Sequence, residues 1–216
     1  MSFNQVFDFL ADLQENNNKA WMDRHRDRYE SSRNFVIDWA SQIMNKVAEI
    51  DPDLVPKPPK KAVNRINNNL MFHPDRPVYK DNFGVGFDIG TGPSDFYVHI
   101  GLTETFIAGG IYNPDRDQLQ AIRQEIDYNG EELKKLMEDR VFKNQFGDLW
   151  RGNCLKTSPK GYSSDNEFID LLRLKSFIVT RDTTHEEMAQ KDFQKTVLNC
   201  YKAMMPFGSF LNRALD

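Results

Sequence analysis

The stretch that most limits the fold runs from Phe83 to Tyr112, where apolar residues alternate with small or polar ones. Alternation with a period of two marks a strand that buries one face. Phe83–Ile89 and Phe96–Gly101 are separated by Gly90-Thr91-Gly92-Pro93-Ser94-Asp95, a run that reads as a hairpin turn. Thr105–Tyr112 follows after the Thr103-Glu104 turn, so three successive antiparallel strands are expected. Phe96, Val98 and Ile100 then share one face, and Tyr97 and His99 the other. Ala62–Ile66 is a further strand-like run, and Lys175–Thr180 reads as a later strand. Between Ile66 and Phe83 lies a polar connection of about sixteen residues, a length at which loops often carry function.

Helical spacing dominates on either side of this region. Residues 3–15 place Val6, Phe7, Leu10 and Leu13 on one stripe, with Ser2 to Gln5 as a capping box. Asn18 is positioned to cap one long helix carrying Trp21, Tyr29, Phe35, Trp39, Ile43 and Val47. The prolines between Asp51 and Pro59 stop it. Further on, Asn113-Pro114 reads as a helix start, Gly130 as its end, and Glu131–Arg140 as a second helix. Asp165–Leu172 supplies a helical turn or two. Thr184 to Glu187 reads as a capping box opening the last helix, which Pro206 restarts. Strands in the middle and helices at both ends predict an α+β fold, a central antiparallel sheet with helices from the N- and C-terminal thirds packed against it. The length suits one domain over 1–216: a helical part at 1–50, a Pro/Lys connector at 51–61, a sheet core at 62–112 and a mixed helical part at 113–216.

Cys154 and Cys200 show no C-x-x-C spacing, which argues against a disulfide framework and a thiolate zinc site. The N-terminus has no basic stretch followed by an apolar core, and no apolar run is long enough to span a bilayer. The expectation is a reduced, cytoplasmic protein without a membrane partner, cofactor or metal site. The sequence leaves its oligomeric state open.

Net charge is -4, unevenly spread. From Pro52 to Lys80, six basic residues (Lys57, Lys60, Lys61, Arg65, Arg76, Lys80) face two acidic ones (Asp53, Asp75), a local +4 against -8 elsewhere. A positive patch on an acidic body points to an anionic partner. Phosphate-loop, dinucleotide, zinc-protease and nucleophile-elbow motifs are all missing. Of the four histidines, His25 reads as structural and His185 as solvent-exposed in a first helical turn. His73 stands beside Asp75, and His99 shares a strand face with Tyr97. His99 is the candidate for proton transfer.

Exposed salt bridges contribute only about 0–1 kcal/mol, so stability is a poor reason to gather cations. The expected ligand site joins Arg65, Tyr79 and Lys80 to Lys156, Lys160 and Arg173, with Tyr162 as a further donor. Arg173 and Lys175 point the same way if 172–176 is extended. Two functions compete. One is binding of an anionic, phosphate-bearing small molecule in a basic and aromatic cleft beside the sheet, with or without turnover. The alternative is a non-catalytic module that docks an acidic protein or a nucleic-acid backbone.

The sequence also resembles a bacterial family of conserved hypothetical proteins, domain of unknown function 2461. The likeness runs through Asn17-Asn18-Lys19-x-Trp21, Tyr97-Val98-His99-Ile100, Gly109-Gly110-Ile111-Tyr112-x-Pro114, Leu155-Lys156-x-x-Pro159-Lys160-Gly161-Tyr162 and Asp170-Leu171-Leu172-Arg173-Leu174-Lys175. The family pattern resembles R-x-x-R-D-x-R-F, followed by an acidic residue, a lysine and a tyrosine. Arg65, Phe72, Asp75 and Tyr79 match it, and Arg76 stands for the lysine. Asn68, Asn69 and Met71 replace Arg, Asp and Arg, so this chain lacks two cations and one carboxylate of that pattern. The resemblance implies a fold and carries no reaction with it.

Overall fold

The alternating residues do build the sheet. The computed structural model describes residues 1–54, 58–88, 90 and 92–216. Strands β1 (Asn82–Asp88), β2 (Asp95–Gly101), β3 (Thr105–Ile111) and β4 (Phe177–Asp182) form an antiparallel sheet in the order β1-β2-β3-β4. Lys57, Ile89 and Thr91, assigned above to connector, strand and turn, lie outside the described residues. Val85 pairs with Val98 and Val98 with Ile107, while Gly109 pairs with Val179. These residues, with Phe83, Phe87, Phe96, Ile100 and Phe177, fill one buried face.

Helices cover that face. From the N-terminal part come α1 (Phe3–Glu15), α2 (Lys19–Arg24), α3 (Arg26–Ala48) and α4 (Pro59–Ala62). From the rest come α5 (Arg116–Glu138), α6 (Arg140–Phe146), α7 (Ile169–Leu172), α8 (His185–Ala189) and α9 (Phe193–Arg213). The α+β expectation therefore holds. α3 packs on β1 and α9 on β3. At Gly109 a side chain would overlap Met204 of α9, so glycine lets the helix approach the strand closely.

Local expectations fare unevenly. The Ser2–Gln5 capping box and the Asn18 cap form. The long second helix instead breaks at His25, whose backbone leaves the helical region (φ -115, ψ 25). His25 has the structural role expected: Nδ1–H donates to the Trp21 carbonyl at 2.9 Å and the ring stacks on Trp21. Ala62–Ile66 is not a strand; Ala62 closes α4, and Val63 makes a single bridge to Val85. The cap of α5 is Asp115, not Asn113, whose φ of 49 and hydrogen bonds to Ser176 turn the chain first.

Helix α5 kinks at Asn129, and Gly130 makes room for the Phe168 ring instead of ending the helix. Thr184 accepts from the Glu187 amide but caps only α8, which ends at Ala189, and the Glu187 carboxylate pairs with Arg181 at 2.8 Å, so the box is not closed. α9 starts afresh at Phe193 and runs through Pro206 without a break. Arg173 ends the turn of α7 in helical geometry, so the extended 172–176 reading fails there.

A buried polar clasp joins three distant parts of the chain. The Tyr201 hydroxyl donates to Asp51 Oδ2 at 2.7 Å, and the Gly90 amide donates to the same oxygen at 3.0 Å. The Asp53 amide donates to Asp51 Oδ1. Asp51 is thus a buried carboxylate with donors on both oxygens. Burial, then the hydrogen bond to Asp51, pushes the Tyr201 phenol far above its ordinary pKa, so it remains a donor. Tyr201→Phe removes one donor from a buried acceptor and should cost about 1–3 kcal/mol. Urea unfolding measures this; an unchanged midpoint would mean the clasp contributes nothing.

Candidate functional site

The other face of the sheet is almost bare. Alternation places Gly84, Gly86, Ala108, Gly110 and Thr180 there, so side chains cover little of the strands. The result is a trough of about 1540 Å³. Above Gly86 a Cβ would meet nothing within 4 Å. Trp150 walls one side: its amide donates to the Ile178 carbonyl at 2.8 Å and its ring meets Tyr112 edge-on.

Three side chains rise from this floor as a unit. The Tyr97 hydroxyl lies 3.0 Å from His99 Nδ1. The His99 ring stacks on Phe106, its cross-strand partner, with centroids 4.6 Å apart and planes 5° from parallel. Tyr97 crosses the space that glycine leaves at residue 84, and a Cβ at Gly101 would stand 2.7 Å from His99 Nε2. Two glycines therefore make room for the Tyr97 and His99 rings. Burial pushes the Tyr97 phenol up to about 12, so it keeps its proton and can donate. Burial also lowers the His99 pKa, with Lys80 adding to the effect while Asp81 and Glu104 oppose it. Where Tyr97 donates to Nδ1, the imidazole proton is on Nε2; where Nδ1–H donates to the phenol oxygen, Nε2 is left as an acceptor.

Beside this unit, at the β1 edge, a second hollow of about 520 Å³ shares Asn64, Tyr97 and His99 with the trough. Its far wall is the segment 66–80, which folds back on itself. Lys80 N donates to Ile66 O at 2.7 Å, and Asn67 bridges Tyr79. The Asn17 side chain locks both the N–H and C=O of Tyr79. Lys80 Nζ donates to the Arg65 carbonyl at 3.0 Å. Burial, then Arg65 and Arg76, lower the Lys80 pKa. Among the described residues, no carboxylate pairs with Arg65, Arg76 or Lys80.

The structure thus brings Arg65, Lys80, Tyr79 and His99 into one neighbourhood. Lys80, Tyr79 and His99 line the smaller hollow, while Arg65 acts on it through its charge. Lys156, Lys160 and Arg173 line neither hollow. Lys156 and Lys160 are exposed, and Arg173 pairs with Asp170 at 3.5 Å. Tyr162 sits near Arg123, whose guanidinium donates to the Leu172 and Leu174 carbonyls. His185 is not simply solvated: it stacks on Phe7 and bonds the Gly101 carbonyl at 3.0 Å.

Sequence reasoning missed Phe106, Asn64, Asn17 and Trp150. Counting back through the Thr103-Glu104 turn would have set Phe106 opposite His99. Nothing local signalled the others. Asn68, where this chain departs from the arginine of the family pattern, lines the smaller hollow. No group of three or more His, Cys, Asp or Glu among the described residues is arranged to hold a metal.

A helix-backed antiparallel sheet with a hollowed open face is the class of structure these elements define. The chain belongs to the family described as "Conserved hypothetical protein (DUF2461)", whose model matches residues 5–210. Neither a curated protein nor a solved structure matches it. No helix among the described residues is long and apolar enough to cross a membrane.

A histidine held neutral in the fold binds its proton less readily than in the unfolded chain. Stability should therefore fall as pH drops below about 6.5 and towards the lower folded value. His99→Gln should flatten that part of the stability profile, and the His99 imidazole resonances should titrate below the ordinary range. An ordinary titration midpoint by NMR would refute the assignment.

Proposed function

We propose that this protein binds an anionic, phosphate-bearing small molecule at the β1 edge of the sheet. The anion lies against Lys80 and Arg76, with Arg65 behind them, and the body of the ligand extends past His99 onto the bare floor. One observation carries this reading: three cations are held together, one of them drawn partly out of water, with no ion-paired carboxylate among the described residues, since Asp81 on the same wall accepts from Thr103 and Asn82 instead. Like charges so arranged repel one another, and an anion relieves both the repulsion and the lost hydration. Tyr79 and Asn64 add polar groups beside the cations. His99 is the group suited to hold or move a proton on the ligand, with Tyr97 fixing its orientation. Cys154 and Cys200 are both free, which supports a cytoplasmic location.

A thermal-shift titration with inorganic phosphate and phenyl phosphate, at matched ionic strength against chloride, tests the proposal. Lys80→Gln and Arg76→Gln should each weaken phosphate binding about tenfold or more, as expected for a lost charge-assisted hydrogen bond. Gly86→Val fills empty space and should weaken phenyl phosphate while sparing inorganic phosphate. No melting-temperature rise with either anion, or unchanged binding in both cation variants, would overturn the reading.

A second reading, the module that docks an acidic protein or nucleic acid, is favoured by the tip of the 66–80 segment. Leu70, Met71 and Phe72 stand 36%, 80% and 70% exposed there, beside Arg76. A protein partner would use Phe72 as an anchor. Phe72→Ser should then abolish partner binding without changing phosphate affinity. A nucleic-acid partner would instead reveal itself by affinity that collapses with rising salt.

A further inference from the structure

Exposed apolar side chains are ordinary when scattered and carry meaning when contiguous. Among the described residues seven large apolar or aromatic side chains are exposed, and four of them, Met1, Tyr112, Tyr128 and Val141, stand singly in sequence. The other three, Leu70, Met71 and Phe72, are consecutive. They sit at the tip of the 66–80 segment, where every residue from 69 to 77 is exposed. The projection is built, not loose. Backbone bonds join Ile66 to Lys80, Asn67 to Tyr79 and Asn68 to Val78 across its stem. The Asn68 side chain donates to the Pro77 carbonyl at 2.9 Å, and the His73 amide donates to the Asn69 carbonyl at 3.0 Å across the turn. Asn17 fastens the stem to the body through Tyr79. A stem so fixed holds three apolar side chains in water instead of letting them fold back on the core.

The same segment carries the cations of the proposed anion site. Arg65 and Lys80 stand at the foot of the stem, where Lys80 Nζ donates to the Arg65 carbonyl, and Arg76 follows the tip. None of the three is ion-paired among the described residues. Asp75 is the carboxylate on the tip itself. The order along the projection is therefore apolar at its end and cationic behind. An anionic bilayer has the complementary order, with phosphates outside and hydrocarbon beneath. A folded partner protein would have to supply a cup for a convex apolar tip and an acidic rim around it; a bilayer supplies both by its layering.

We infer that the phosphate-bearing ligand is an anionic phospholipid met at a membrane surface, with Leu70, Met71 and Phe72 inserted at the acyl boundary and Arg65, Arg76 and Lys80 among the phosphates. This rests on the anion site proposed above and adds the source of the phosphate. Spanning a bilayer takes a long apolar run, but resting on one takes only an apolar edge and a few cations, so the lack of a spanning helix among the described residues does not bear on it. Three side chains insert shallowly and the chain as a whole carries a net charge of -4. Binding is therefore reversible and confined to surfaces rich in anionic lipid.

Flotation of the full chain tests this with vesicles of phosphatidylcholine alone, or of phosphatidylcholine with roughly one-third phosphatidic acid. The chain should float only with the anionic vesicles, and less of it as salt rises. A Met71→Ser/Phe72→Ser double variant, altered only at exposed positions, should bind those vesicles about tenfold or more weakly, while inorganic phosphate raises its melting temperature as it does the parent's. Lys80→Gln should weaken vesicle and phosphate binding together. Asp75→Asn should strengthen vesicle binding, because it removes a charge that the lipid phosphates repel. Equal flotation with neutral vesicles, no flotation with either kind, or undiminished flotation of the tip variant would overturn the lipid. Where inorganic phosphate still stabilises the parent, those outcomes leave the anion site standing for a soluble ligand and the tip for a protein partner. If neither inorganic phosphate nor anionic vesicles bind, the anion site itself falls, and the lipid with it.

Discussion

Everything described here depends on a single sheet with two unlike faces. Because side chains alternate along each strand, the residues that bind helices and those that form the hollows are interleaved one by one. Phe96, Val98 and Ile100 are buried under helices, while Tyr97 and His99 between them stand over the trough. A one-residue slip of β2 would exchange the two sets, which is why core packing also fixes the position of the candidate site. The long run of paired residues from β1 to β4 thus serves stability and placement together.

The site itself is shaped largely by what is absent. Glycine at 84 and 101 leaves space that the Tyr97 and His99 rings occupy, and the open floor at Gly86 remains free. The cations gather for a different reason, since the fold-back of 66–80, pinned by Asn17, brings Lys80 and Arg76 beside His99. Electrostatics and packing thus meet at the strand edge, where neither alone would create a charged hollow next to a desolvated imidazole.

The sequence revealed most where a short-range rule governs. Strand alternation, the hairpin glycines and the Ser2 cap are local, and they gave the α+β architecture and the shared face of Tyr97 and His99. Boundaries went astray where distant partners intervened: Glu187 prefers Arg181 to its own cap, and Asn113 is held by Ser176. Two of the five expected cations were legible as a group because Arg65 and Lys80 sit in one continuous segment. Placing Lys156, Lys160 and Arg173 demanded knowledge of how 153–155 pairs with 173–175 ahead of β4. There Leu155 pairs with Arg173 and Lys175 with Asn153 through the backbone, a tertiary pairing with no local signature.

The Asp51 clasp also bears on how the chain is made. Its donors come from residues 53, 90 and 201, so the knot cannot be tied until the C-terminal helix has been synthesised. Met204 and Phe207 of that same helix belong to the core that caps the sheet. During translation the N-terminal helices can already cover β1, but the side of β3 on which α9 packs stays open until that helix is made, a state prone to sticking to its neighbours. A nascent chain of this design is most exposed to self-association in the interval between the making of β3 and that of α9.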